Sequence, residues 1–196
     1  MFVKQQNILF TQYSKLMFGI FFKKKITEEK LVDYFVFSTV KMVDDAFEDV
    51  ADIICSDPEF VSPPVINKDQ VDPLLWIVIT ANIKFIPRYF NDYQDIRLLD
   101  DANRKFARIL DVPVDVFKKE ILKYDSLFSR LNHPSKNTVY AMSKAVFNKY
   151  HLAQYQDEYF KKMETPNPIF LKRLNGVMEQ FIFDWQQIID DYKIQE

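Results

Sequence analysis

Apolar residues recur at three- and four-residue intervals along most of this chain, a period that predicts helices rather than strands. Thr27 precedes Glu28 and Glu29, which puts a hydroxyl cap ahead of acids at the positive end of a helix dipole. A long helix is therefore predicted from Thr27 to Cys55. Three prolines interrupt any helix between Ser56 and Gln70, so 56–71 reads as a long surface loop. Asp72 and Pro73 fit the N-cap and first position of the next helix. The segment Leu74–Ile86 is apolar nearly all round and predicts a buried central helix over about 73–86, with a strand as the alternative because of its β-branched content.

Beyond Pro87 the spacing predicts a helix ending near Leu110, with Ile96, Leu99, Ala102, Phe106 and Ile109 on one face. Another helix is predicted from Val114 to Leu131. A break at 132–137 follows, with Ser135 as the cap of a helix reaching Tyr150. A short helix carries Tyr155, Tyr159 and Met163, and Asn167–Pro168 opens a last helix running to Asp191. The fold class is all-α: a single-domain bundle over 1–196 of about seven to eight helices around the apolar central one. Residues 1–26 read as a peripheral N-terminal helix. Its apolar run, Leu16–Phe22, is short and meets Lys23, Lys24 and Lys25, unlike a secretory signal or a membrane span.

The stretch Phe106–Ile121 has the rhythm of a helix-turn-helix, with Ala107, Leu110, Val112 and Phe117 at apolar positions. Asp111 stands where such a turn often has glycine, and Pro113 supplies an ordinary helical corner. On a wheel, Phe117, Ile121, Tyr124, Phe128 and Leu131 fall within about 40° of one direction. Lys119, Lys123, Ser126 and Arg130 lie opposite. This is a core stripe backed by a basic ridge, without Asn, Gln or Arg near the helix start to read base edges.

The most enzyme-like string is Asp44–Asp52. Asp45, Asp49 and Asp52 have the spacing with which an acidic helix can hold Mg²⁺ for a substrate diphosphate. With Val43 at zero, however, Phe47, Val50, Ala51, Ile53 and Ile54 form an arc of about 160° and the acids fill the remainder. That is an amphipathic helix with its acids in water. His133 and His151 stand in no metal-binding or catalytic motif, so no catalytic residue and no cofactor is predicted.

Composition narrows the classes further. Net charge is −2, so nothing global drives the chain toward nucleic acid or anionic membrane. Only 2 glycines occur, which disfavours tight hairpins and phosphate-cradling loops. The single cysteine, Cys55, excludes an internal disulfide, suits a reducing, cytoplasmic setting, and reads as a small buried hydrophobe. Charge is nevertheless segregated along the chain. Met42–Asn67 has seven acids and no Lys or Arg, whereas Ser126–Gln156 has no acid and carries Arg130, Lys136, Lys144 and Lys149. Ser135 and Lys136, read as the first turn of a helix, together with Lys119, Lys123 and Arg130, form a candidate anion or nucleic-acid surface.

The last predicted helix has a broad core stripe from Leu171 to Tyr192. Ile169, Gly176 and Phe183 fall outside it on a common side, and predict a second contact, with the N-terminal helix or with a partner subunit. These features favour a non-enzymatic intracellular protein acting through macromolecular contacts, chiefly with protein and including self-association. A nucleic-acid-associated accessory protein binding without sequence preference is the alternative. A metal-dependent phosphate-ester hydrolase is the third reading.

Overall fold

The computed structural model describes residues 23–132 and 136–196. It is predominantly helical, an all-α bundle with one two-stranded sheet. In chain order the elements are β1 (Lys24–Thr27), α1 (Glu28–Cys55), α2 (Asp72–Ile83), α3 (Ile86–Tyr89), α4 (Gln94–Ile109), α5 (Val114–Leu131) and α6 (Thr138–Lys149). A 3₁₀ turn (Leu152–Tyr155), α7 (Glu158–Met163), α8 (Pro168–Glu179), α9 (Trp185–Asp191) and β2 (Tyr192–Gln195) follow.

The central helix is α2. Nine of its residues are buried, from Leu74 to Ile83, and it touches α1, α5 and α6. It is a helix and not the alternative strand because a helix satisfies its own backbone groups in a region that no water reaches. α1 lies across α2 and α4, α5 packs on α4 and α6, and α8 packs on α6. Thr27 caps α1 as its spacing predicts, its Oγ1 accepting from the Lys30 N–H at 3.3 Å.

Ser56–Val71 contains no helix or strand, but it is tied down. The Asp57 carboxylate, 4% exposed, accepts two bonds from Arg173 of α8, at 2.7 and 2.8 Å. Glu59 accepts from the Asn167 amide at 2.8 Å, Phe60 packs edge-on against Phe170, and the Tyr150 hydroxyl donates to the Gln70 carbonyl at 2.7 Å. The acids of this loop therefore meet their cation from the far end of the chain.

Several elements differ from the sequence expectation. The predicted helix over 1–26 is a strand at Lys24–Thr27, and the remainder, 1–22, lies outside the described residues. In α4 the core face is Leu98, Ala102, Phe106 and Ala107, whereas Ile96 and Ile109 are exposed. The chain leaves α3 through left-handed Asp92 and Tyr93, so the helix begins at Gln94, later than Pro87 implies; Ala102 and Phe106 stay on the core face, and Leu98 and Ala107 join them there. The cap of α6 is Asn137, whose side chain accepts from the Tyr140 N–H at 3.1 Å. Lys136 precedes that cap in a left-handed conformation and is not in the first turn, and Ser135 lies outside the described residues. The segment carrying Tyr155, Tyr159 and Met163 is split into the 3₁₀ turn and α7.

The largest difference is at the C-terminus. The helix opened by Asn167 ends at Glu179 and the chain bends before α9. The cause is Asn82, fully buried on α2. Its Nδ2 donates to the Phe181 carbonyl at 2.8 Å and to the Val78 carbonyl at 2.9 Å, and its Oδ1 accepts from the Phe183 N–H at 2.7 Å. The amide thereby supplies the partners that a continued helix would otherwise have given. Asp184 then caps α9, accepting from the Gln187 N–H at 2.9 Å, and Trp185 enters the core between Phe35, Phe90 and Phe183. This bend brings the last residues back beside the first described ones.

Candidate functional site

The residues singled out from the sequence do not assemble into one site. Lys119, Lys123 and Arg130 are exposed on α5 as the wheel requires. Their ridge is interleaved with acids: Lys119 pairs with Asp115 at 3.6 Å, Lys123 with Glu120, and neighbouring Lys118 with Asp100 at 3.3 Å. Lys136 is exposed beyond the end of this helix. Much of the basic character visible in sequence is thus spent on intramolecular pairs, which weakens the field available to an external polyanion.

Asp45, Asp49 and Asp52 are exposed on α1. Asp45 is bound by Lys41 at 2.8 Å and neighbouring Glu48 by Lys68 at 2.7 Å. Among the described residues no group of three or more His, Cys, Asp or Glu side chains lies close enough to share a metal ion. His151 is exposed, with a left-handed backbone, before the 3₁₀ turn, and Cys55 is half-buried rather than sealed in the core.

Ile169, Gly176 and Phe183 do not form a common stripe, because the helix that would align them stops at Glu179. Ile169 and Gly176 are exposed on α8. Phe183 lies past the bend and packs within the chain, its ring 5.8 Å from Tyr34, 5.1 Å from Phe35 and 4.6 Å from Trp185. The contact is with α1.

The feature that sequence reasoning missed is where the termini of the described chain meet. β1 and β2 run parallel, with Lys24 beside Tyr192, Lys25 beside Lys193, Ile26 beside Ile194 and Thr27 beside Gln195. Ile26, Tyr192 and Ile194 rest against the core. By the period of a strand, Lys25 and Lys193 point to the other face. The signal was present as the alternation Lys25-Ile26-Thr27 and Tyr192-Lys193-Ile194-Gln195, but four residues are too few to separate a strand from a helix end.

An open groove of about 830 Å³ lies beside this sheet. Tyr89, Phe90, Ile189, Tyr192 and Ile194 give it apolar walls, and Lys23, Lys25 and Lys193 bring positive charge. Among the described residues no carboxylate lines it. The Lys23 ammonium donates to the Ile189 carbonyl at 2.6 Å, a favourable place for a cation at the end of α9. A smaller groove, about 300 Å³, lies between α6 and α8, with Lys144 over the Tyr140 ring and Lys172 at its edge.

One end of the sheet is held by charge. Arg97 of α4 grips the Glu28 carboxylate through two bonds of 2.9 and 2.8 Å and reaches Glu196 at 2.7 Å. Hydrogen bonding from Arg97, joined by Gln94, holds the Glu28 carboxyl below its usual value of 4.5 against the opposing effect of burial. A carboxyl whose folded value is depressed adds stability that is complete above the unfolded value and is lost as the pH falls through the folded one. Glu28→Gln should therefore lower stability at neutral pH by roughly 1 kcal/mol, since Arg97 remains partly solvated. Denaturant titrations across pH should show the gap to the wild type closing as the pH falls below about 4.5.

Compared with known proteins, the chain matches no family model, and no curated protein or solved structure is significantly similar to it. Among the described residues no helix is long and apolar enough to cross a membrane.

Proposed function

We propose that this chain is a non-enzymatic protein-interaction module that captures an extended segment of a partner protein along the open edge of the β1–β2 sheet. The observation that carries this reading is the incompleteness of the sheet. Among the described residues, the parallel ladder of two four-residue strands has an unmatched edge on each strand, and isolated two-stranded ladders are marginal in water. Among the described residues, Lys24–Thr27 and Lys193–Gln195 make no backbone hydrogen bond to another loop or strand outside the ladder. An added strand would satisfy these groups, and the apolar groove beside them offers pockets for its side chains. The single cysteine suits a reducing compartment, and a cytoplasmic setting is part of the same proposal.

A displayed library of random eight-residue peptides, selected against the full chain, tests the reading. Selected peptides should lose binding when alternate residues are N-methylated in one phase and keep it when methylated in the other, because a strand offers its ladder one set of alternate N–H groups. Binding that tolerates methylation in both phases would contradict strand addition. Tighter binding of RNA than of any selected peptide, abolished by removing Lys119, Lys123 and Arg130, would replace this reading with the nucleic-acid one.

A further inference from the structure

We infer that the segment captured at this sheet is acidic at alternate positions; the inference rests on the sheet-edge reading above and adds the chemistry of the partner.

Lys25 and Lys193 are directly beside each other across the ladder, on adjacent strands about 4.8 Å apart. Like charges at paired positions oppose strand pairing. Lys23, just ahead of β1, shares their face by the two-residue period, and Lys23, Lys25 and Lys193 line the groove. Some cations elsewhere do meet a carboxylate, among them Lys41, Lys68, Lys84, Lys105, Lys118 and Arg173. At the sheet, Lys23, Lys25 and Lys193 have no carboxylate partner among the described residues.

A third strand laid along the edge projects alternate side chains to the lysine face. Carboxylates there would lie beside the lysines and relieve the cross-strand repulsion, while the intervening residues would turn toward the face shared by Ile26, Tyr192 and Ile194. The same charges argue against a second copy of this chain as the occupant. Edge-to-edge pairing of two such sheets would add lysine to lysine, and a lysine-bearing edge discourages that association. The occupant is therefore a partner with an alternating acidic and apolar sequence.

Three capped seven-residue peptides test this, each alternating valine with glutamate, glutamine or lysine, titrated into the full chain at about one Debye length of 10 Å, near 0.1 M salt. The glutamate peptide should bind at least about ten-fold more tightly than the glutamine one, with the difference shrinking as salt rises, and the lysine peptide should not bind. In the double variant Lys25→Glu, Lys193→Glu the order should invert. Lys24→Glu, on the opposite face, should leave the order unchanged, and unchanged thermal transitions show that the variants are folded. Equal binding of the glutamate and glutamine peptides would overturn the acidic inference and leave strand capture standing. Failure of all three, together with failure of the selected peptides, would overturn both. Concentration-dependent dimerisation abolished by the double variant would assign the edge to a second copy. Displacement of the glutamate peptide by polyphosphate, with no dependence on the phase of N-methylation, would reduce the site to a patch of positive charge.

Discussion

Trp185→Ala should lower the unfolding free energy by about 4 kcal/mol, within the range for truncating a buried tryptophan. Trp185 is fully buried and sits at the centre of an aromatic cluster. Its ring lies 4.7 Å from Phe35, 5.4 Å from Phe90 and 4.6 Å from Phe183. Those partners come from α1, the end of α3 and the bend before α9, so the cavity would be lined by three separate segments that cannot collapse together. The indole N–H has no hydrogen-bond partner among the described residues. Trp185→Phe therefore loses packing area but no hydrogen bond, and should lose less than about 2 kcal/mol. Equilibrium denaturation of both variants checks the pair of values. Because Trp185 seats α9, and α9 leads directly into β2, the alanine variant should also weaken peptide capture at the sheet.

Asn82→Leu should lower stability by about 3 kcal/mol although it makes the central helix more apolar. The substitution removes one side chain and orphans two backbone groups, the Phe181 carbonyl and the Phe183 N–H, that have bent away from helical geometry to meet it. An unmatched buried group costs about 1–3 kcal/mol, more than the added hydrophobic area returns. A transfer scale alone predicts the opposite sign, which makes this substitution a sharp test. Amide exchange should show the excess opening confined to the segment from Phe181 to the C-terminus. Global destabilisation without that local signature would mean that Asn82 does not set the bend.

These two residues explain what the sequence could and could not reveal. The start of α1 was legible because a cap is local: Thr27 and the acids after it act within one turn. The central helix was legible because a long apolar run has no other place to go than the core. The end of α8 was not legible. The periodicity from Leu171 to Tyr192 continues smoothly, and the residue that interrupts it lies 99 positions upstream of Phe181. Reading the wheel past Glu179 placed Phe183 outside the core, whereas the bend turns it onto Phe35. The sheet was hidden for a related reason. Each strand is four residues long, and its partner is at the other end of the chain, so neither length nor neighbouring turn chemistry announces it. The basic ridge was half legible. Its lysines face solvent as the wheel demands, but Asp100 on α4 reaches one neighbour of the ridge, Lys118, and local acids reach Lys119 and Lys123.

The measurement that bears most directly on the open sheet edge is amide hydrogen exchange, resolved by residue, across 24–27 and 192–195 of the full chain. In the free chain, alternate amides of these strands should exchange rapidly while their ladder-bonded neighbours are protected. Adding the alternating glutamate peptide should protect the fast set and leave the α5 amides unchanged. Uniform protection of both strands in the free chain, or peptide-induced protection on α5 with none in the sheet, would contradict the account.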